Sequence, residues 1–452
     1  MLTSHWPKLL MLIALGMSIL LPVVVGLGEA LRAAFGILPA LGRHSFSVDA
    51  WQQLWQLPGL ISSLRLTLFS GFAATIMALA LAIFGSSWVY NISPKLFFLD
   101  KLKPLMQFIM VPVLAAPHAA IAIGLAFLIA PSGWLARWLS PWLTNWTLPP
   151  DWATVQDLWG LSLTLGLVIK ELPFLWLVCL VALKQINVSK QMSLAQSMGY
   201  SHSLAWRKII IPQLYPLIRL PVMVVLVYAL STVDMAQILG PNNPPTLALV
   251  ALRLYTDANV QMLLPASAAA ISLAMLMVMS ILLWEMSVRG LMLVNKVSIR
   301  SGERASKWTL LGTILTTALP ISFLLGLLSL LVLAIWSITW RWSFPEAWPT
   351  SWSFDYWLQL LTEWPLALKH SLITALMSSG LALMLTVIWL EVQDRFGGHV
   401  YRATLWLIYL PLLVPQIAFL YGLKVSFLRL GLSGGIGTVI WAHLLFVFPY
   451  VM

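Results

Sequence analysis

The sequence predicts an all-α polytopic membrane protein, and three observations carry that class. The 452-residue chain is 60% hydrophobic and only 9% charged. Apolar runs of roughly 20 residues recur along it, each long enough to cross a hydrocarbon core of about 30 Å as a helix. The basic residues between the runs fall mainly in alternate loops.

Taken in order, the runs are 9–27, 62–90, 105–130, 160–183, 216–238, 264–288, 309–337, 366–390, 404–427 and 436–452. The first is long for a signal-peptide core, and GLGEALRAA is a weak cleavage site, so it reads as a retained span. The net charge of +11 does not indicate nucleic acid, because the bases are spread through the loops. Lys95, Lys101, Lys103, Lys184, Lys190, Arg207, Lys208, Arg289, Lys296, Arg300, Arg304, Lys307, Arg395 and Arg402 share one side, which positive-inside topology makes cytoplasmic. The opposite loops hold few bases (Arg32, Arg43, Arg137, Arg253, Arg341) and many tryptophans. Trp51, Trp55, Trp134, Trp138, Trp142, Trp340, Trp342, Trp348, Trp352 and Trp357 read as an outer interfacial belt. The N-terminus, with Lys8, is then cytoplasmic. Cys179 stands alone within a span, so no intramolecular disulfide forms.

The chain reads as a duplication. SVDAWQQL at 47–54 answers SFDYWLQL at 353–360, and SLRLTL at 63–68 answers SLITAL at 371–376. Pro112, Pro117 and Gly124 answer Pro411, Pro415 and Gly422, and Gly follows the second proline by seven residues in both copies. ELPFLW at 171–176 meets FPYVM at 448–452. The copies then span 1–290 and 309–452, joined by a basic cytoplasmic linker at 291–308. An even number of spans in the first copy starts the second in the same orientation, as in parallel repeats about an axis along the membrane normal. The second copy stops inside its fourth span, which leads us to expect that the natural chain continues with a further loop and two spans.

One stretch stands apart from this apolar background: SLAQSMGYSHSLAWRKIIIPQL, residues 193–214, which is cationic and broken by glycine. Its pattern predicts two short surface helices in a cytoplasmic loop. Leu194, Ala195 and Met198 would share a face, Gly199 would end the first helix in a left-handed conformation, and Ser201 would cap the second. Pro212 marks the entry to span five. Such a rigid apolar knob suits a soluble partner, while an amphipathic loop on anionic lipid is the other reading. Arg207 and Lys208 are expected at the membrane surface or against partner acids, where their loss would be mild and salt-sensitive.

The spacing of Ala195, Gly199, Ile209 and Pro212 resembles the EAA loop, E-A-A-x3-G-x9-I-x-L-P, of permease subunits of binding-protein-dependent ABC importers. Ser193 replaces the family's Glu, Leu194 its first Ala, and Ile211 its Leu. The loss of the Glu removes an ionic contact there and leaves the apolar docking. The resemblance implies that 193–214 is a coupling element seated on an ATP-hydrolysing subunit. It extends to the whole chain, since two fused copies look like the thiamine and ferric-iron type permeases. It also implies two permease domains of about six transmembrane helices each, a homodimeric ATPase partner carrying ATP and Mg, a periplasmic or extracellular substrate-binding protein, and a bacterial inner membrane location. This chain has no G-x-x-x-x-G-K-[ST], H-E-x-x-H or G-x-S-x-G run, so no catalytic residue, metal site or cofactor is assigned to it.

Polar groups within spans are functional candidates. His118 follows Pro117 and Gln416 follows Pro415, so matching positions either line a path or satisfy carbonyls freed by proline. Lys170 and Glu171 lie in span four about 100° apart, so they need not pair. Glu171 contributes either to a gate or cation path or to a helix contact. Asp234, before ILGPNNPPTLAL, either meets a binding protein or caps a solvated turn. The leading alternative is an ion-coupled secondary transporter of parallel repeats. Glu171 is nearly the one acid well inside a span, which favours ATP-driven import. The substrate is not legible; a thiamine-like organic cation is preferred over ferric iron because of the Trp-rich outer loops and Glu171.

Overall fold

The computed structural model describes residues 13–14, 16–89, 103–304, 309–396, 408–432 and 434–452. The bases Lys8, Lys95, Lys101, Lys307 and Arg402 lie outside the described residues. In chain order the helices are α1 (Gly16–Ala34), α2 (Asp49–Gln56), α3 (Leu60–Val89), α4 (Lys103–Ala115), α5 (His118–Ile129), α6 (Trp134–Leu139) and α7 (Leu161–Leu183). They continue as α8 (Val188–Ser197), α9 (His202–Ser231), α10 (Asp234–Leu239), α11 (Leu247–Tyr255), α12 (Leu263–Arg300) and α13 (Thr309–Ser337). A small antiparallel pair, β1 (Thr339–Arg341) and β2 (Ser351–Trp352), precedes α14 (Asp355–Phe396), α15 (Gln416–Arg429) and α16 (Ile436–Val451). The protein is all-α and polytopic: among the described residues, 8 helical stretches are long and apolar enough to cross a membrane.

Where the sequence predicts one helix over 105–130, the structure has two. Pro117 lacks the N–H that would bond the carbonyl of Val113, so α4 stops at Ala115 and α5 restarts at His118. The counterpart break in the second copy falls at Pro415, the N-cap of α15. Two helices far exceed the bilayer. At 1.5 Å per residue the 38 residues of α12 reach about 57 Å, against a core of about 30 Å, so α12 projects beyond it.

The chain divides into two compact units, and neither follows chain order. One comprises Met1–Leu60, Leu247–Val278 and Phe354–Met452; the other comprises Ile61–Thr246 and Met279–Ser353. In the first unit α1 packs along α15, and α14 packs on α16. Its core gathers Ile19, Val23, Ala382, Trp389, Ile408, Phe419, Leu423, Leu445 and Phe448. In the second unit α13 packs along α5 and touches α4 and α7. Helix α7 is buried on nearly every side, as expected of a helix that is apolar all round.

Both units therefore repeat one device. The first helix of each copy, α1 or α13, lies on the post-proline helix of the other copy, α15 or α5. Glycines make the approach possible. A Cβ on Gly124 would stand 2.1 Å from the Ser329 carbonyl oxygen, and one on Gly422 would stand 2.0 Å from that of Gly26. Gly124 and Gly422 are the pair that answer each other in sequence. Small residues let helix backbones meet closely, which is how helices associate without a hydrophobic driving force in lipid.

Candidate functional site

The loop 193–214 lies in the second unit. Helix α8 ends in a Schellman arrangement: Gly199 takes φ +84°, its N–H bonds the carbonyl of Gln196 (2.8 Å), and the N–H of Tyr200 bonds that of Ala195 (3.0 Å). The expected shared face divides. Ala195 points into the protein at 2% exposure, while Leu194 and Met198, four residues apart on one stripe, are 63% and 56% exposed. Ser193 is exposed beside them. Ser201 occupies the N-cap position, yet its hydroxyl makes no cap bond; its N–H instead bonds the carbonyl of Arg304 at 2.9 Å.

The second surface helix is not separate. His202 begins α9, which passes through a π-turn at Trp206–Ile210 directly into the spanning segment, with Pro212 in the first turn of the regular helix. Leu204, Trp206 and Ile210 are buried, and Ile209 and Pro212 are half-buried. Lys208 departs from the sequence expectation of a surface base. It is 2% exposed, and its Nζ donates to the carbonyls of Ser298 (2.7 Å) and Glu303 (3.2 Å). The expectation of a mild, salt-sensitive loss applies to half-buried Arg207 only, because a buried ammonium is poorly screened.

A polar cluster is built around the α4–α5 break. The Nζ of Lys170, buried on α7, donates to the carbonyls of Val113 (3.1 Å), Leu114 (2.8 Å) and Ala116 (2.6 Å). Those are acceptors at the C-terminal end of α4, released where the helix stops, and a cation there also meets the negative end of the helix dipole. Glu171, the next residue, turns to the start of α5, where its Oε1 lies 3.3 Å from Nε2 of His118. Tyr228 of α9 packs its ring 4.5 Å from the His118 imidazole. His118, Lys170 and Glu171 thus meet, with Lys170 rather than His118 satisfying the carbonyls freed by proline. The second copy carries Phe446 and Val447 at the places aligned with Lys170 and Glu171, and Phe446 packs on Phe419 at 5.8 Å. Gln416 is exposed at the start of α15 and belongs to the other unit.

Within the second unit, two ionic features escape sequence reasoning. Arg219 of α9 pairs with Glu285 of α12 at 2.8 Å, beside Tyr215, whose hydroxyl accepts the indole N–H of Trp284 at 3.0 Å. Glu285 is thus a further acid within a spanning helix; a base and an acid on successive spans were the available signal. Elsewhere in the second unit, buried Arg137 donates to the carbonyls of Ser132 (2.8 Å), Ser343 (2.8 Å) and Trp342 (3.3 Å), with Trp342 stacked 5.0 Å from its guanidinium carbon. Trp134 and Trp342 are buried with it. The predicted aromatic belt thereby loses two members to the packing around an arginine.

Asp234 is exposed in the first turn of α10. The segments flanking it are tied to the loop before α7: the N–H of Gln156 bonds the Leu239 carbonyl (3.1 Å), and Asn242 donates to the Gln156 side chain (2.8 Å). Among the described residues no group of three His, Cys, Asp or Glu is placed to hold a metal ion.

No family model matches the chain. Over 422 residues it is 29% identical to the inner membrane ABC transporter permease protein YnjC of Escherichia coli (strain K12). That similarity takes in 92% of this chain and 71% of the relative.

Proposed function

We propose that this chain is the membrane-spanning permease subunit of an ATP-driven importer of the bacterial inner membrane. Two fused copies form the path, with the N-terminus cytoplasmic and 193–214 as the coupling loop. ATP and Mg belong to a separate, homodimeric ATPase; a soluble binding protein delivers the solute to the face that carries Asp234. The observation that carries this reading is the exposed Leu194–Met198 stripe, presented by a glycine-terminated helix beside a buried Ala195. Exposed apolar side chains held rigidly outside the spans have no reason to stay uncovered. The similarity to an ABC permease supplies the kind of partner that covers them.

The substrate proposal is a thiamine-like organic cation, in preference to ferric iron. Within the second unit, Glu171, the imidazole of His118 and the Tyr228 ring cluster beside the proline break. A carboxylate with an aromatic face suits a delocalised cation. The same cluster is the one observation that favours the alternative, an ion-coupled secondary transporter, since such carriers place ionisable groups at broken helices.

The test is co-purification of the full chain with a candidate ABC ATPase from the same organism, comparing wild type with Leu194→Asp/Met198→Asp. Loss of the ATPase with the spans still inserted supports the coupling role. Undiminished ATPase binding by the double variant overturns it, as would transport driven by an ion gradient without ATP.

A further inference from the structure

The far end of α12 and the residues after it do more than join the copies. Residues 295–304 lie against 193–214 through contacts with Gly199, Ser201 and Lys208, all inside the second unit. Asn295 donates its side-chain N–H to the carbonyl of Lys208 (3.2 Å), and Lys208 returns its ammonium to the carbonyls of Ser298 (2.7 Å) and Glu303 (3.2 Å). The Glu303 carboxylate stands 3.9 Å from the same ammonium. At the glycine turn, Ser201 gives its N–H to the Arg304 carbonyl (2.9 Å), and the Arg304 side chain crosses above Gly199. Further along, Arg219 and Glu285 join the same two helices, α9 and α12.

We propose that 295–304 is a strap that holds the coupling loop, with Lys208 as its positioning residue, so that motion at the loop enters α12 as well as α9. The physical ground is the price of the alternative. A buried ammonium costs far more than a surface one unless its donors are used, so a lysine spent on strap carbonyls ties loop and strap into one body. Displacement of the Ser201–Lys208 segment away from the strap would leave this ammonium and the carbonyls of Ser298, Glu303 and Arg304 without partners. The linker of the fused chain then acts mechanically: it leads from the loop to α13, the first helix of the second copy. This inference rests on the reading of 193–214 as the coupling element.

The experiment uses the full chain with its ATPase in lipid nanodiscs, in the Cys179→Ala background. Lys208→Met keeps the length and removes the donors. It is expected to weaken ATPase binding roughly tenfold while the chain still runs as a single species on size exclusion. Adding Ser201→Cys and Arg304→Cys, which sit on touching backbones, should form a disulfide both without nucleotide and in the vanadate-trapped complex. That crosslink should restore binding to Lys208→Met, and reduction should abolish the rescue. Asn295→Ala, a milder cut of the same strap, is expected to shift binding in the same direction by roughly threefold and serves if Lys208→Met fails to accumulate. Wild-type binding by both Lys208→Met and Asn295→Ala overturns the strap, as does a crosslink that forms in only one nucleotide state or rescues nothing. Leu194→Asp separates the two readings. If it binds the ATPase normally, the coupling assignment fails; if it loses binding while the strap variants do not, the strap alone fails.

Discussion

Lys170 shows how one side chain settles a broken helix. Three backbone acceptors at and just past the end of α4 converge on its ammonium, and its neighbour Glu171 engages His118 across the break. Leaving a buried acceptor unpaired costs about 1–3 kcal/mol, so Lys170→Met should lower stability by about 3 kcal/mol or more. The measurement is thermal unfolding of the detergent-solubilised chain; an unchanged midpoint would mean that water replaces the ammonium. His118→Gln, which keeps a polar group beside Glu171, should cost about 1 kcal/mol at most. That contrast separates the lysine that satisfies the break from the His118–Glu171 pair that flanks it. Arg137 repeats the logic among outer-loop carbonyls, so Arg137→Met should be similarly damaging although the residue lies in a short helix remote from the break.

Among elements, the decisive contacts are the two crossings of α1 with α15 and of α13 with α5. Each depends on a glycine whose missing Cβ admits the partner backbone. Gly124→Val and Gly422→Val should each cost about 3 kcal/mol or more, since overpacking against a backbone cannot be relieved by a rotamer change. The two variants should behave alike because they occupy equivalent crossings, whereas Gly380→Val, where a new Cβ meets nothing within 4 Å, should be tolerated. Melting temperatures of the three variants in one detergent check this. The first crossing carries an additional tie, Glu29 to Arg429 at 2.6 Å, which the second lacks among the described residues.

Across the whole molecule, the exchange of first helices makes each compact unit a product of both copies. A chain cut by a protease site inserted after Arg304 should therefore keep 1–304 and 309–452 together through detergent size exclusion. Expressed alone, 1–304 would leave α1 without α15 and α5 without α13, and it should aggregate. Separation of the cut halves as two well-behaved species would argue against the exchange.

The class and the glycine stop in 193–214 were legible because each rests on local chemistry. Hydropathy over about 20 residues decides whether a segment enters lipid. Gly199 could be read as a left-handed stop because a helix end next to Ser and Tyr needs one. The partners of polar side chains were not legible. Lys170 bonds residues 54 to 57 positions away, and Lys208 bonds residues 90 and 95 positions away. Nothing in the sequence distinguishes buried Lys208 from half-buried Arg207 beside it. The residues by themselves decided what enters the membrane and where helices stop. The tertiary structure alone decided which helices pack together, and so which carbonyl each charge meets, because burial is a property of neighbours that the chain brings together from afar.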